Sequence, residues 1–400
     1  MKSKTNSKVM HAALMLALSV LFSASILMTG CSKSAAQTEV TTVAATTAQQ
    51  TTAPTATPSP TETAAATPAT PATPASPFPV NPLTGTLDMD AANVGKRSVS
   101  VSINNHPSAL PSRGVSAADV IYEFETEGGQ TRLLALFADA AKAPEVGSIR
   151  SARIIACDLS AGTNSIFIHY GENARVPDYV ANNKIDEIDG NIYSKGSDKS
   201  VNGEITLASG IYFWRDSDWL SKRALEHTAV TNGANMLRAI AGCKITLEGE
   251  TPSLFTFTAV SSPALAAGTD CNKLVVYFST NNDDSTFTYN AQTKLYEKSE
   301  YGGDPQIDET TGTQIAVKNV VTLYANIVPH GDTTIDAFLN DGGTGYYASE
   351  GKIIEINWTK DGPHAPIVIT DKAGNLVEVN VGKSYINVVR KTVAAKTKIS

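Results

Sequence analysis

Asp119-Val120-Ile121-Tyr122-Glu123-Phe124-Glu125 alternates with the period of two that a β-strand requires. Asp119, Ile121, Glu123 and Glu125 fall on one face and Val120, Tyr122 and Phe124 on the other, so the simplest reading is a solvated polar face over a buried apolar one. Gly128-Gly129 then turns the chain into residues 132–138, a nearly continuous apolar run that predicts another strand. Upstream, residues 99–104 alternate as a short strand. Downstream, Gly147-Ser148-Ile149-Arg150-Ser151-Ala152-Arg153 leads into an apolar stripe at Ala152, Ile155, Ala156 and Leu159. That spacing is helical, with Ser148 or Ser151 as the expected cap and Gly162 as the stop. A strand at 165–170 and helices at 175–182, 218–227 and 232–241 complete an interleaved pattern, which defines an α/β-type domain.

After about residue 250 the pattern changes to short β-type runs at 274–278, 287–289, 294–297, 314–328, 344–348, 352–358, 367–370, 376–379 and 385–389. Turn signals such as Asn281-Asn282-Asp283-Asp284 and Asp371-Lys372-Ala373-Gly374-Asn375 separate them. The expected fold class is therefore α+β: an N-terminal α/β-type domain over residues 81–250, followed by a mostly antiparallel β domain over 251–395.

The preceding residues read as an address. Lys2, Lys4 and Lys8 precede an apolar stretch from Ala12 to Leu27, and Leu27-Met28-Thr29-Gly30-Cys31 closes it. Residues 1–30 are expected to be a lipoprotein signal peptide, cut before Cys31, with Cys31 acylated and held at the cell membrane on its extracytoplasmic side. The apolar run falls short of the roughly 20 residues that span a bilayer. Residues 31–80 are almost entirely Ala, Thr, Pro, Gln and Ser, a composition that cannot offset its own ordering entropy, so a disordered linker is expected.

Of the 400 residues, 42% are hydrophobic and 18% charged, ordinary values for a globular chain. Removing the three N-terminal lysines takes the net charge from -7 to about -10, a balance that disfavours nucleic acid as a partner. Beyond Cys31 lie Cys157, Cys243 and Cys271; Cys243 with Cys271 is the easier disulfide to envisage, and no Cys/His spacing suggests zinc. No metal and no cofactor are expected.

The strongest candidate chemistry is cationic. Arg150 and Arg153, at i and i+3 in the expected first turn of a helix, oppose the helix dipole unless an anion is present, and guanidinium forks suit phosphate or carboxylate. The structural alternative is pairing with Glu123, Glu125, Glu127 or Asp158. Arg132, at the head of the apolar run, joins them as a candidate anion-binding residue. Asn104, Asn105 and His106 follow one strand, His169 and Glu172 another, and His227 lies in a third polar cluster; these are the candidate cleft residues. No Gly-x-Ser-x-Gly elbow, phosphate loop or His-Glu-x-x-His occurs, so no catalytic residue is assigned.

In order, Asn81-Pro82-Leu83-Thr84-Gly85, Val101-Ser102-Ile103-Asn104-Asn105-His106-Pro107, Ala118-Asp119-Val120-Ile121-Tyr122-Glu123, Glu127-Gly128-Gly129-Gln130-Thr131-Arg132 and the segment 147–153 resemble the YerB-type envelope lipoproteins. Ile168-His169-Tyr170-Gly171, Phe213-Trp214-Arg215-Asp216, Glu226-His227-Thr228, Lys318-Asn319-Val320-Val321, Gly343-Thr344-Gly345-Tyr346 and Gly382-Lys383-Ser384-Tyr385-Ile386 extend the resemblance over about residues 81–390. Ser148 and Glu226 stand where proline is common in that family. The resemblance implies an anchored two-domain protein without an established activity. In outline alone, the strands and Arg-bearing turn are also similar to LytR-type wall-polymer transferases, but their Pro-Arg-Asp signature is missing.

Two functions follow as expectations. The favoured one is a binding or scaffolding module that recognises an anionic ligand or protein partner: a cell-wall glycan, a lipid-linked precursor or an envelope protein. The alternative is an envelope enzyme acting on phosphodiester or polyprenyl-pyrophosphate-linked wall polymers.

Overall fold

The computed structural model describes residues 78–192, 212–279 and 284–400. The expected signal peptide, Cys31 and nearly all of the expected linker lie outside the described residues, as does most of the 281–284 turn. The first half supplies β1 (Val99–Asn104), β2 (Val120–Glu125), β3 (Thr131–Phe137), β4 (Val146–Gly147), β5 (Ile166–His169), β6 (Glu187–Asp189), β7 (Trp214–Arg215) and β8 (Ala229–Thr231). Its helices are α1 (Ile154–Ala161), α2 (Val176–Asn183), α3 (Ser217–Leu220) and α4 (Gly233–Gly242).

The second half is almost wholly β. It contains β9 (Thr256–Thr258), β10 (Thr269–Asp270), β11 (Lys273–Tyr277), β12 (Asp284–Asn290), β13 (Leu295–Glu300), β14 (Asp304–Pro305), β15 (Ala316–Val317) and β16 (Asn319–Pro329). There follow β17 (Ile335–Phe338), β18 (Gly343–Ser349), β19 (Lys352–Thr359), β20 (Val368–Thr370), β21 (Glu378–Asn380), β22 (Ser384–Arg390) and β23 (Lys398–Ile399). The α+β class read from the sequence is the class observed.

Both halves contribute to one large mixed sheet in the order β10-β19-β18-β16-β22-β2-β3-β1-β5-β6. The junction is parallel: Val120 to Phe124 pair with Ser384 to Val388, while the other edge of β22 pairs in parallel with Asn319 to Ala325 of β16. A second sheet, β14-β13-β12-β11-β23 with β15, is antiparallel and belongs to the second half alone. The described residues accordingly form one compact unit.

The central strands are buried on both sides, which explains the unbroken apolar run of β3. One face of the sheet carries Val101, Ile103, Leu133 and Ala135 into a cluster with Leu274, Val276 and Phe287 of the second sheet. The other carries Tyr122, Phe124, Leu134 and Leu136 against Ile155, Ala156 and Leu159 of α1 and Leu323 of β16. In β18, Gly345 lets β16 approach so closely that an added Cβ would sit 2.0 Å from the Thr322 carbonyl oxygen. That contact gives the Gly343-Thr344-Gly345 stretch a steric reason.

One expectation about β2 is overturned. Glu123 and Glu125 do lie opposite Tyr122 and Phe124, but their face is not solvated; they are 1% and 5% exposed. The second half covers them: Tyr385 Oη and Ser285 Oγ donate to Glu123 at 2.8 and 2.5 Å, and Arg390 binds both oxygens of Glu125. The local pattern shows alternation but not what a distant strand will place on the polar side. All three described cysteines are free, so the Cys243–Cys271 disulfide is not formed; Cys243 follows α4 and Cys271 is buried beside the Tyr296 hydroxyl.

Arg390→Ala would leave the Glu125 carboxylate buried without its cation, at an expected cost of about 3 kcal/mol. Chemical denaturation at neutral pH measures it, and Arg390→Lys should recover part of the loss.

Candidate functional site

At the carboxyl ends of β1 and β5 the two parallel strands, paired at Val99 to Val101 with Ile166 to Ile168, admit a third segment between them. Residues 148–152 run through this gap. Asn104 N donates to Ser148 O and Arg150 N to Ser102 O on the β1 side, both at 2.8 Å; Tyr170 N donates to Arg150 O at 3.0 Å and Ala152 N to Gly171 O at 2.8 Å on the other. The segment is thus extended, and α1 begins only at Ile154 with Arg153 as its N-cap residue. This corrects the expected helical first turn: strand-type hydrogen bonds from both sides claim the backbone, and neither Ser148 nor Ser151 caps the helix. The helix does stop at Gly162.

The arginines gather around this insertion but have different partners. Arg153 Nε binds both carboxylate oxygens of Glu127 at 2.6 and 2.8 Å, which is the structural alternative weighed from the sequence. Arg150 makes no side-chain hydrogen bond or ion pair with a described residue. Burial and the charges of Arg153 and Arg215 weaken its hold on its proton, and only Glu226 opposes that effect. Arg132, 7% exposed, donates from Nη1 to Ser151 O at 2.6 Å and has no carboxylate partner among the described residues. Burial, then Arg153 and Arg150, press it far below the ordinary guanidinium range, with Glu127 the opposing charge.

A polar rim adjoins the arginines. Asn104, opposite Arg132 in the β1–β3 register, lies 2.6 Å through Nδ2 from His227 Nδ1. His106 stacks on His227 with ring centroids 5.4 Å apart. Burial, then Arg150, lowers the His227 pKa, so this ring is neutral at physiological pH. Arg215 donates to Leu225 O at 2.5 Å and lies over the Tyr170 ring at 4.3 Å, which anchors a fourth guanidinium near Arg150. Glu127 pairs with Arg153 and Glu226 lies near Arg150, while Glu172 is bridged through its backbone to Ala152 of the same segment. A hollow of about 730 Å³, lined by Pro107, Leu110, Tyr301, Pro305 and Ile307, begins next to His106. Another of about 700 Å³ lies elsewhere, between Gly268, Tyr346 and Lys372, and none of the arginines lines it.

Two residues expected in the cleft are placed away from it. Asn105 is 1% exposed and turns into a buried network with Glu123, Thr131, Glu300 and Gln306. His169 is fully buried; its Nε2 meets Glu187 and its Nδ1 is 2.9 Å from Gly171 O. Burial lowers its pKa, but the Glu187 bond and charge, with Asp189, outweigh that and leave it raised. One donor atom each from His169, Glu172 and Glu187 lie within 4.8 Å of one another, a set able to hold a metal ion although none was expected.

Sequence reasoning missed several partners. Glu187 and Glu300 lie in short strands with no local signal of their own, and only the tertiary fold gives them their roles. Arg113 was also missed; it binds Asp216 at 2.8 Å, Glu309 at 3.1 Å and Glu145, and stacks over Trp219 at 4.2 Å, which fixes the loops beside the rim.

The comparisons agree with this architecture. Residues 83–246 match the model described as "Protein of unknown function (DUF3048) N-terminal domain", and residues 274–386 match the corresponding C-terminal domain. A Bacillus subtilis (strain 168) protein titled "Putative lipoprotein YerB" is 31% identical over 315 residues, covering 77% of this chain and 85% of the relative. The crystal structure of YerB protein from Bacillus subtilis superposes with a TM-score of 0.66 at 27% identity, covering 80% of this chain and 98% of that one. The chain belongs to the YerB family of two-domain DUF3048 proteins.

The raised His169 pKa sets a direction for pH dependence. The ion pair with Glu187 contributes fully below the unfolded histidine pKa near 6.5, and the contribution is lost as pH rises through the higher folded value. Unfolding free energies measured across that range should fall with pH in the wild type and show a smaller fall in His169→Gln.

Proposed function

We propose that this protein is a membrane-anchored, extracytoplasmic recognition module whose arginine-rimmed cleft binds the anionic group of an envelope ligand. The observation that carries the reading is Arg132, a buried guanidinium whose described partner is one backbone carbonyl. A guanidinium holds its proton more strongly than any other basic side chain, and a buried charge without a counterion is costly. A bound phosphate or carboxylate beside Arg132 and Arg150 relieves that cost, and the unpaired Arg150 supplies a free fork for it. Local excess of positive charge on a chain of net charge -7 favours a specific site over diffuse attraction.

The N-terminal signal ending at Cys31 supports lipid anchoring outside the cytoplasm, as does the lipoprotein title of the Bacillus relative. Candidate ligands are a cell-wall glycan carrying phosphate or carboxylate, a lipid-linked precursor, or an acidic segment of an envelope protein. A second reading, an enzyme acting on wall phosphodiesters, draws on the donor atoms of His169, Glu172 and Glu187, since a divalent ion there would polarise a phosphoryl oxygen. Turnover of a wall-derived phosphodiester, abolished in His169→Ala, would favour the second reading; binding without turnover favours the first.

Calorimetric titration with inorganic phosphate and pyrophosphate should detect binding that weakens with salt. Arg150→Ala is expected to lose at least tenfold in affinity, equivalent to the roughly 1.5–3 kcal/mol of a charge-assisted hydrogen bond. Glu226→Gln, which removes the competing carboxylate, should bind more tightly. If Arg150→Ala binds as the wild type does, the cleft is not the anion site.

A further inference from the structure

Behind the cleft, where the second sheet covers the large one, Lys298 of β13 is completely buried. Its Nζ lies 2.8 Å from Glu300 Oε1 and 3.8 Å from Glu123 Oε2, with the rings of Tyr385 and Phe287 at 5.5 and 5.7 Å. Asn105 enters the same enclosure from the loop after β1. Its Nδ2 donates to that same Glu300 oxygen at 2.9 Å, and its Oδ1 accepts from Gln306 Nε2 at 3.0 Å. Oε2 of Glu300 has no hydrogen-bond partner among the described residues.

These groups make an unusual set for a structural ion pair. One ammonium faces two buried carboxylates, a net negative charge that a dry interior disfavours and that one further proton removes. Burial raises the Glu300 pKa, with Lys298 opposing and Glu123 reinforcing the rise, so Glu300 is the natural holder of that proton. At this proton count an uncharged amine beside two carboxylic acids is simply a tautomer of the ion-paired form. The Glu300 carboxyl oxygen is within hydrogen-bond distance of both an amine nitrogen and an amide nitrogen, the position a proton carrier between them must occupy.

We propose that Lys298 and Asn105 are joined by a self-catalysed isopeptide bond, with Glu300 as the proton carrier. Lys298 Nζ, as the free amine, attacks Asn105 Cγ once the two atoms close to about 3–3.5 Å, and the Gln306 amide stabilises the charge that develops on Oδ1. Glu300 takes a proton from Nζ and delivers one to Nδ2. The Cγ–Nδ2 bond breaks, ammonia leaves, and the Nζ–Cγ amide remains. Glu300 ends in its starting protonation state, nothing is oxidised or reduced, and no co-reactant is needed. Glu123, fixed by Tyr385 and Ser285, serves as a positioning residue. The product ties the loop after β1 to a strand of the second sheet and replaces a buried charge cluster by a neutral amide.

Mass spectrometry of the full-length protein, denatured, reduced and digested, tests this without need of a ligand. The expected result is a branched species that joins the peptide containing Asn105 to the peptide containing Lys298 and is lighter than their sum by one ammonia. Glu300→Gln should instead release the two linear peptides at their unmodified masses. Recovery of only the linear peptides from folded wild-type protein overturns the proposal, whether or not the variant folds. A joined species lighter by water, which would place the bond between Lys298 and a glutamate, overturns it as well.

Discussion

The parallel pairing of Val120 to Phe124 with Ser384 to Val388 is the constraint on which the rest of the molecule depends. It places β22 between β2 and β16, so that two regions with different sequence texture share one hydrogen-bonded sheet. Glu123 is buried because this pairing sets Tyr385 and the second sheet over it, and Glu125 because Arg390 ends the same strand. Asp308 extends the connection, accepting from the backbone N–H groups of Gly114 and Ser116 at 3.0 and 2.6 Å. The halves are two sequence regions but not two separable cores.

The arginine cluster follows from the remaining strands. β1 and β5 are parallel neighbours, and their carboxyl ends are held apart by the arginine-bearing segment, whose backbone is satisfied on both edges. Side chains of 148–153 are therefore fixed by strand-type hydrogen bonds rather than by a helix, with Arg150 directed by a more rigid support than a frayed first turn would offer. The same insertion puts the Ser151 carbonyl where Arg132 can reach it. Two cations thus depend on one backbone arrangement, and Arg153, tied to Glu127, holds its far end.

Much of the fold was legible in the sequence because the strands and helices have strong local periodicity. β1, β3, α1, α2, α4 and β22 lie within a residue or two of the runs that announced them. What local pattern could not carry was the environment created by distant strands: the covering of Glu123 and Glu125, the inward turn of Asn105, and the capture of His169 by Glu187. The run 218–227 resolves into α3 and a separate 3-10 turn at Leu225–His227, because the Asp216 side chain caps the first and the chain turns before the second. Of the candidate site, Asn104 and His106 were legible from their place after a strand, His227 from a polar cluster, Arg132 from the head of an apolar run and Arg150 from its spacing with Arg153, whereas Arg215's contribution needed the fold to bring it to Arg150.

The place of β22 in the sheet also bears on how the protein comes into being. A chain made from its amino terminus presents β2 and β16 long before Ser384–Arg390 exists, and each then has an open edge where its permanent neighbour belongs. The central sheet can close only after Ser384–Arg390 has been made and has entered between them. Until then β2 and β16 each keep an unpaired edge, open to the wrong strand partner. β22 thus sets the order of assembly, because neither flanking strand is complete until a segment distant from both in sequence has entered between them.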